Sequence, residues 1–240
     1  MLHQTKGIVL HSIKYSETSV IVKIYTELFG LQSYLVKGSR SPKSKMKPGL
    51  FQPLTLLDMI VYHRESKTLQ SVKEIHLGYP YHSIPFDIRK SSIALFINEL
   101  LYKSIREEET NPSLFEYLWN SCLLLDSEET VGIFHLAFMV HLTHFLGIMP
   151  QLNFSANEPV FNLLEGHFQS KRPEHKHYLD DESSQTLYSI LLTPIGDQAS
   201  LHPKTALRNQ LLEAMIFYFQ THLPGFKDLR SHVVLHTVLT

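Results

Sequence analysis

Apolar and polar positions alternate in short runs through the first third of the chain. Residues 6–11 (KGIVLH) and 19–25 (SVIVKIY) are β-branched, and the polar link SIKYSET separates them. Residues 31–36 follow a turn at Gly30, residues 54–62 form a fourth run and residues 68–76 a fifth. A period of two over such lengths puts one face of each run in a core, as in half-buried strands. Five strands with Gly or Pro at their junctions leave no room for a crossover helix, so the pattern predicts a small antiparallel barrel. An OB-like and an SH3-like barrel both fit that size.

Residues 79–85 (YPYHSIP), rich in proline and aromatics, end this pattern. A boundary here gives a first domain over residues 1–79 and a second over 80–240. Beyond it the spacing lengthens to three and four. Within 88–106, Ile93, Phe96, Ile97, Leu100, Leu101 and Ile105 share one face and Glu99, Lys103 and Arg106 take others, the signature of an amphipathic helix. Asn111-Pro112-Ser113 opens a second helix over 114–125, with Pro112 where its missing N–H costs least. Residues 128–146 are apolar almost all round, which places a third helix at the centre of a bundle. Further helices are predicted over 183–192, over 204–223 with its face of Leu207, Leu211, Leu212, Met215, Ile216 and Phe219, and over 228–239. Residues 150–182 are polar and punctuated, with one short hairpin over 159–168. The fold class is therefore α+β: a five-stranded barrel, then an all-helical domain interrupted at about 150–182.

Composition changes this picture little and charge changes it more. The chain has 240 residues, 43% of them hydrophobic and 19% charged, enough for a substantial core. The net charge of -1 hides an asymmetry. Residues 1–79 hold 11 Lys and Arg against 5 Asp and Glu, whereas residues 80–240 hold 11 against 18. Such a division points to one module that faces a polyanion and another with a different task. The single cysteine, Cys122, allows neither an internal disulfide nor a thiolate metal cluster. There is no signal-peptide pattern and no window of roughly 20 apolar residues, so a cytoplasmic protein without a membrane span is expected.

The positive charge is concentrated between the third and fourth strands. The stretch VKGSRSPKSKMKPGLFQP carries Lys37, Arg40, Lys43, Lys45 and Lys47, and no acidic residue occurs between Glu27 and Asp58. Five like charges in a loop with little apolar surface repel one another unless an anion comes between them, and phosphate is the obvious one. The bland alternative is a soluble connection. Lys6, Lys14 and Arg64 extend the same cationic track. Tyr34 and Phe51 flank the loop and are candidates for stacking on unpaired bases, against the ordinary role of barrel aromatics as core.

Other clusters carry weaker signals. His141 and His144, with His135, share a helix face, and His175 and His177 alternate in a loop, but no third and fourth ligand is forced on either set, so no metal or other cofactor is implied. Asp180-Asp181-Glu182 is placed to start the following helix, and Glu107-Glu108-Glu109 to be a solvated linker. No phosphate-binding loop, nucleophile elbow or HExxH pattern is present, so no catalytic residue is assigned.

In order and spacing the chain resembles the RecO family of bacterial recombination mediators. The residues that carry this are Lys6-Gly7-Ile8-Val9-Leu10, Glu17, Thr26-Glu27 with Gly30, Lys37-Gly38, Arg40, Ser44 and Gln52-Pro53. Phe145-Leu146-Gly147 with Pro150, and the ending HLPGFKDLRSHVVLHTVL, add to it. The resemblance implies an N-terminal OB-fold that binds single- and double-stranded DNA and a C-terminal helical domain. It further implies strand annealing, transfer of strands coated by single-stranded DNA-binding protein to the RecA recombinase, and RecR as a partner. The acidic C-terminal tail of the single-stranded DNA-binding protein is expected on the helical domain, where Lys103, Arg106, Lys204 and Arg208 are the available cations. Many relatives carry a four-cysteine zinc site after the Gly147 and Pro150 signal. Residues 150–182 here contain no cysteine, so a zinc-free hairpin and loop is expected in its place. The competing readings are an RNA-binding OB module with a helical dimerisation domain and, further off, a metal-dependent hydrolase using the clustered histidines.

Overall fold

The structure, a computed structural model, describes residues 1–39, 46, 48–106 and 109–239, leaving aside the side chain of residue 199. Contacts divide the chain into two compact units, Met1–Phe86 with Leu101–Asp126 and Asp87–Leu100 with Ser127–Thr240.

The first unit is built on five strands, β1 (Leu2–Lys14), β2 (Val20–Thr26), β3 (Gly30–Val36), β4 (Leu56–Tyr62) and β5 (Leu69–Leu77). They close into a barrel of order β1-β2-β3-β5-β4. Alternation works as expected. Val20, Val22 and Ile24 point inward from β2, and Val36, Tyr34 and Gln32 stand opposite them on β3. The expectation of an antiparallel barrel needs one correction, because β3 and β5 run parallel, Ser33 facing Leu69. Neighbours in a ring of five cannot all alternate in direction, so closing an odd number of strands forces one parallel pair. This strand order is that of an OB-type barrel, which settles the choice against the SH3-like alternative.

β1 is longer than expected because it serves two neighbours. Residues Leu2 to Ile8 pair with β4, and after an irregularity between Val9 and His11 the strand continues against β2 as far as Lys14. Gly7 lies in the shared segment. A β-carbon there would come within 2.6 Å of the Ile24 methyl and 2.9 Å of the Met59 sulfur, so the Lys6-Gly7 pair has a packing reason.

Helix α2 (Pro112–Ser127) completes this unit. Phe115 stacks on Tyr25 of β2 with ring centroids 6.3 Å apart, and both are buried. The carboxylate of Asp126, 4% exposed, receives backbone N–H groups from His82 at 2.8 Å and from Ser83 and Ile84 at 2.9 Å, together with the hydroxyl of Tyr79. Burial raises the pKa of this group, but the donors from His82, Ile84 and Ser83 outweigh it and hold the carboxyl below its ordinary range. The proline- and aromatic-rich segment after β5 is thus tied to the end of α2.

In the second unit, α3 (Phe134–Phe145) is enclosed on every side: Leu136, Ala137, Phe138, Met139, Val140 and Leu142 are all buried. It starts six residues later than the expected start at residue 128, because Gly132 takes a positive φ of 26° and a turn replaces the first expected helical turn. Its far end explains the Phe145-Leu146-Gly147 signal. Gly147, at φ 70°, donates to His144 and Ile148 donates to Thr143, the paired bonds of a glycine-terminated helix. The apolar faces of α1 (Ile88–Ser104), α4 (Asp181–Leu192) and α5 (Thr205–His222) supply the rest of the core, with Asp180 capping α4 through the Ser183 N–H. The last helix, α6 (His232–Val238), starts late because the Glu99 carboxylate takes the N–H groups of Arg230 and Ser231.

The interrupting segment forms a three-stranded sheet, with β6 (Val160–Asn162) between β7 (His167–Gln169) and β8 (Tyr178–Leu179). The hairpin was expected; β8, at two residues, is too short to show a period. Four thiolates are the donor set of a structural zinc site, and these residues do not fit it. Aromatic packing fills the place instead: Phe168 lies 4.8 Å from Phe161, 5.4 Å from Phe154 and 5.8 Å from Tyr188. The Asn153 amide bonds both the N–H and the carbonyl of Phe168, at 3.0 and 2.7 Å.

Candidate nucleic-acid interface

The basic stretch leaves the barrel at the end of β3. Lys37 is exposed there, and Gly38 turns the chain at φ 70°. Ser39 is buried, with its hydroxyl directed at the Thr18 carbonyl in the β1–β2 connection at 3.4 Å. Arg40, Lys43, Lys45 and Lys47 lie outside the described residues. Met46 packs against the barrel core, and a single 3-10 turn, Pro48–Phe51, brings the chain back. Leu54, at φ 59°, donates its N–H to Val9 at 2.7 Å, and Thr55 bonds back to the Gln52 carbonyl, which accounts for the Gln52-Pro53 turn. The cationic stretch is therefore anchored at both ends by residues sunk in the barrel.

Tyr34 and Phe51 are not stacking platforms. Tyr34 is 0% and Phe51 3% exposed, both inside the barrel core, so neither ring presents a face to a base. Burial pushes the Tyr34 phenol well above its ordinary value, with the Thr26 hydroxyl opposing part of the rise. The inward phase of β3, set by Gln32 and Val36 on either side, decides this.

A different aromatic is open to solvent near the start of the basic stretch. Tyr15 is 61% exposed in the β1–β2 connection, next to the exposed Lys14, and Thr18 of the same connection accepts the Ser39 bond. Its only signal in the sequence is an aromatic alone in a polar link. Lys6 behaves differently from its expected role in the cationic track, since its ammonium lies over the Trp119 ring at 5.0 Å. Lys23 likewise lies over Tyr102, at 5.5 Å.

The clustered histidines make local contacts. His135 is buried against Phe96, His141 bonds the Thr193 carbonyl at 2.9 Å, and His177 stacks on Phe217 at 4.1 Å. Among the described residues no three His, Cys, Asp or Glu side chains are grouped to hold a metal ion.

The two parts of the chain match two known family models. Residues 1–81 match the family described as recombination protein O N terminal, and residues 85–231 match recombination protein O C terminal. The chain belongs to the RecO family. It is 39% identical over 237 residues to the DNA repair protein RecO of Bacteroides fragilis, covering 98% of each chain. The corresponding protein of Phocaeicola vulgatus is 38% identical over 237 residues, and that of Flavobacterium psychrophilum 36% over 239 residues and 99% of each chain. The family is one of DNA repair and recombination. Among the described residues no helix is long and apolar enough to cross a membrane.

Proposed function

We propose that this chain is a recombination mediator that works without catalysis in the cytoplasm. Its barrel, with residues 1–79 as the DNA-binding domain, grips single- and double-stranded DNA through Lys37, Arg40, Lys43, Lys45 and Lys47, and it anneals complementary strands. The observation that carries this is the one-signed loop, anchored at Ser39 and Phe51 on an OB-type barrel, in a chain that matches the RecO family over nearly its whole length. Lys14 and Tyr15, in the connection whose Thr18 carbonyl accepts the Ser39 hydroxyl, support the same reading, one as a cation and one as a ring for an unpaired base.

The helical body, residues 80–240, takes protein partners: RecR and the acidic tail of single-stranded DNA-binding protein, for delivery of coated strands to RecA. A recess of about 250 Å³ supports a dock for that tail. Val131, Ile133, Phe134 and Leu201 give it an apolar lining, and the Gln198 amide, 8% exposed, has no hydrogen-bond partner for its nitrogen among the described residues. Lys204, exposed two residues beyond His202 of the lining, is the cation nearest in sequence, while Arg208 is engaged with the Leu239 carbonyl.

Annealing of complementary DNA strands precoated with their binding protein tests the reading. Acceleration by the full chain is expected, and failure to accelerate overturns it; an RNA-binding module has no reason to act on such strands.

A further inference from the structure

The last helix of the body is held by polar clasps more than by its own sequence. Four of the seven residues of α6 are β-branched, Val233, Val234, Thr237 and Val238, and a helix so short and so composed is marginal alone. Leu235 is its one buried residue, while Val233 and Val234 stand 59% and 47% exposed. Its start is fixed by the Glu99 carboxylate of α1, which accepts the N–H groups of Arg230 and Ser231 at 3.0 and 2.8 Å and the Ser231 hydroxyl at 2.6 Å. Its middle is fixed by Glu213 of α5, which faces His236 at 2.8 Å and His232 at 3.8 Å. Its end is fixed by Arg208 of α5, whose guanidinium donates to the Leu239 carbonyl.

Arg208 is poorly provided for in this arrangement. Half-buried, it has no carboxylate partner among the described residues, and its Nε–H, closed off from solvent, has no acceptor there. His135, 1% exposed, and His236 lie nearby and offer no countercharge, and the Nδ1 of His135 is likewise without a partner among the described residues. Burial accordingly lowers the pKa of the guanidinium. A guanidinium drawn out of water gains most from a carboxylate, to which it can give two parallel N–H bonds, and a single peptide carbonyl is a weaker substitute. Arg208 also lies one turn along from the exposed Lys204, whose carbonyl its backbone N–H bonds at 3.0 Å. Residues four apart share a helix face, so two cations stand together at the start of α5, directly after Leu201 and His202 of the apolar recess.

We infer that α6 is an autoinhibitory latch on the acidic-peptide dock: the Leu239 carbonyl occupies Arg208 until a carboxylate of the incoming peptide displaces it, and α6 then lets go. The exchange is of one acceptor for another, so the latch opens only to a ligand that carries negative charge. An apolar segment fills the recess without freeing the helix. Closure costs affinity, because a dock that is competent in only a fraction of the molecules binds more weakly by that fraction. The inference rests on the proposal that the helical body takes an acidic tail, and it names the cation that meets the carboxylate and the element that guards it.

The test measures binding of a labelled synthetic peptide, rich in aspartate with an apolar end, to the full chain, and amide hydrogen exchange over residues 232–238 with and without it. Leu235→Ala, which alters no charge, and Glu99→Ala each loosen α6 and should tighten peptide binding about 5- to 10-fold. Arg208→Gln keeps an N–H donor for the Leu239 carbonyl and removes the charge. It should weaken binding about 10-fold or more and, combined with Leu235→Ala, abolish the gain. In wild type the peptide should speed exchange across α6, and in Arg208→Gln it should not. If the peptide binds but neither loosened variant gains and exchange in α6 is unaltered, the latch fails and the proposed dock stands. No binding by any chain, the loosened ones included, overturns both. A gain that survives Arg208→Gln overturns the role of Arg208.

Discussion

The ammonium of Lys6 lies 5.0 Å from the ring centroid of Trp119, joining a β1 side chain to α2 across the outside of the barrel. Trp119 also lies against the backbone at Gly78, where an added β-carbon would sit 3.1 Å from the indole. With Tyr25 stacked on Phe115, these contacts make α2 a part of the barrel's packing and of the first compact unit.

Phe115→Ala should therefore destabilise the barrel unit. Phe115 is 4% exposed, and truncating a buried phenylalanine costs about 3–5 kcal/mol. The chain's one tryptophan is Trp119, so its fluorescence in a denaturant titration reports on this contact directly. A midpoint unchanged from wild type would show that α2 contributes nothing to the unit.

Asp126→Asn puts an amide where three backbone N–H groups converge. At least one donor, that of His82 or those of Ser83 and Ile84, then faces another donor, and the expected cost is on the order of 2–3 kcal/mol. The depressed pKa of Asp126 adds a pH dependence of defined sign. Its contribution is present above the ordinary carboxylate range and is lost as the pH falls through the lower folded value. Thermal unfolding of the variant near neutrality measures the cost, and an unchanged midpoint refutes it.

His135 sets a second window. Burial, with Arg208 and His236 nearby, pushes its pKa down to about 3. The unfolded chain binds this proton near the ordinary histidine value of roughly 6.5. Stability from neutral His135 is therefore whole above about 6.5 and is lost as the pH falls toward the folded value, by up to roughly 1.4 kcal/mol per pH unit. Replacing it by Leu should flatten the fall in unfolding temperature between pH 6.5 and 4.5. The same slope in wild type and His135→Leu would place the acid sensitivity elsewhere.

Tyr15→Ala and the triple lysine variant separate ring from charge at the basic loop. Removing three phosphate contacts should reduce the salt slope by about two to three units for all sequences alike. Removing the Tyr15 ring should weaken single-strand binding with little change in slope. Equal affinities for wild type and the lysine variant would leave the loop a soluble connector.

Much of the fold was legible in the sequence, because burial on one face of a strand or helix imposes its period on the chain. The five strands, the central apolar helix, the Asp180 cap and the absence of thiolates from residues 150–182 are all local facts. So is the run of charge from Lys37 to Lys47, which needs no neighbour to be seen. What depended on tertiary structure was the assignment of residues to faces and partners. Strand phase sent Tyr34 inward and left Tyr62 outside, ring closure made β3 and β5 parallel, and packing drew α2 onto the barrel through Lys6, Tyr25 and Asp126. The hold of Arg208 on Leu239 could be recognised only once α6 had folded back onto α5. Periodicity records whether a side chain is buried, whereas the identity of its neighbours depends on segments far apart in the chain, which no local pattern encodes.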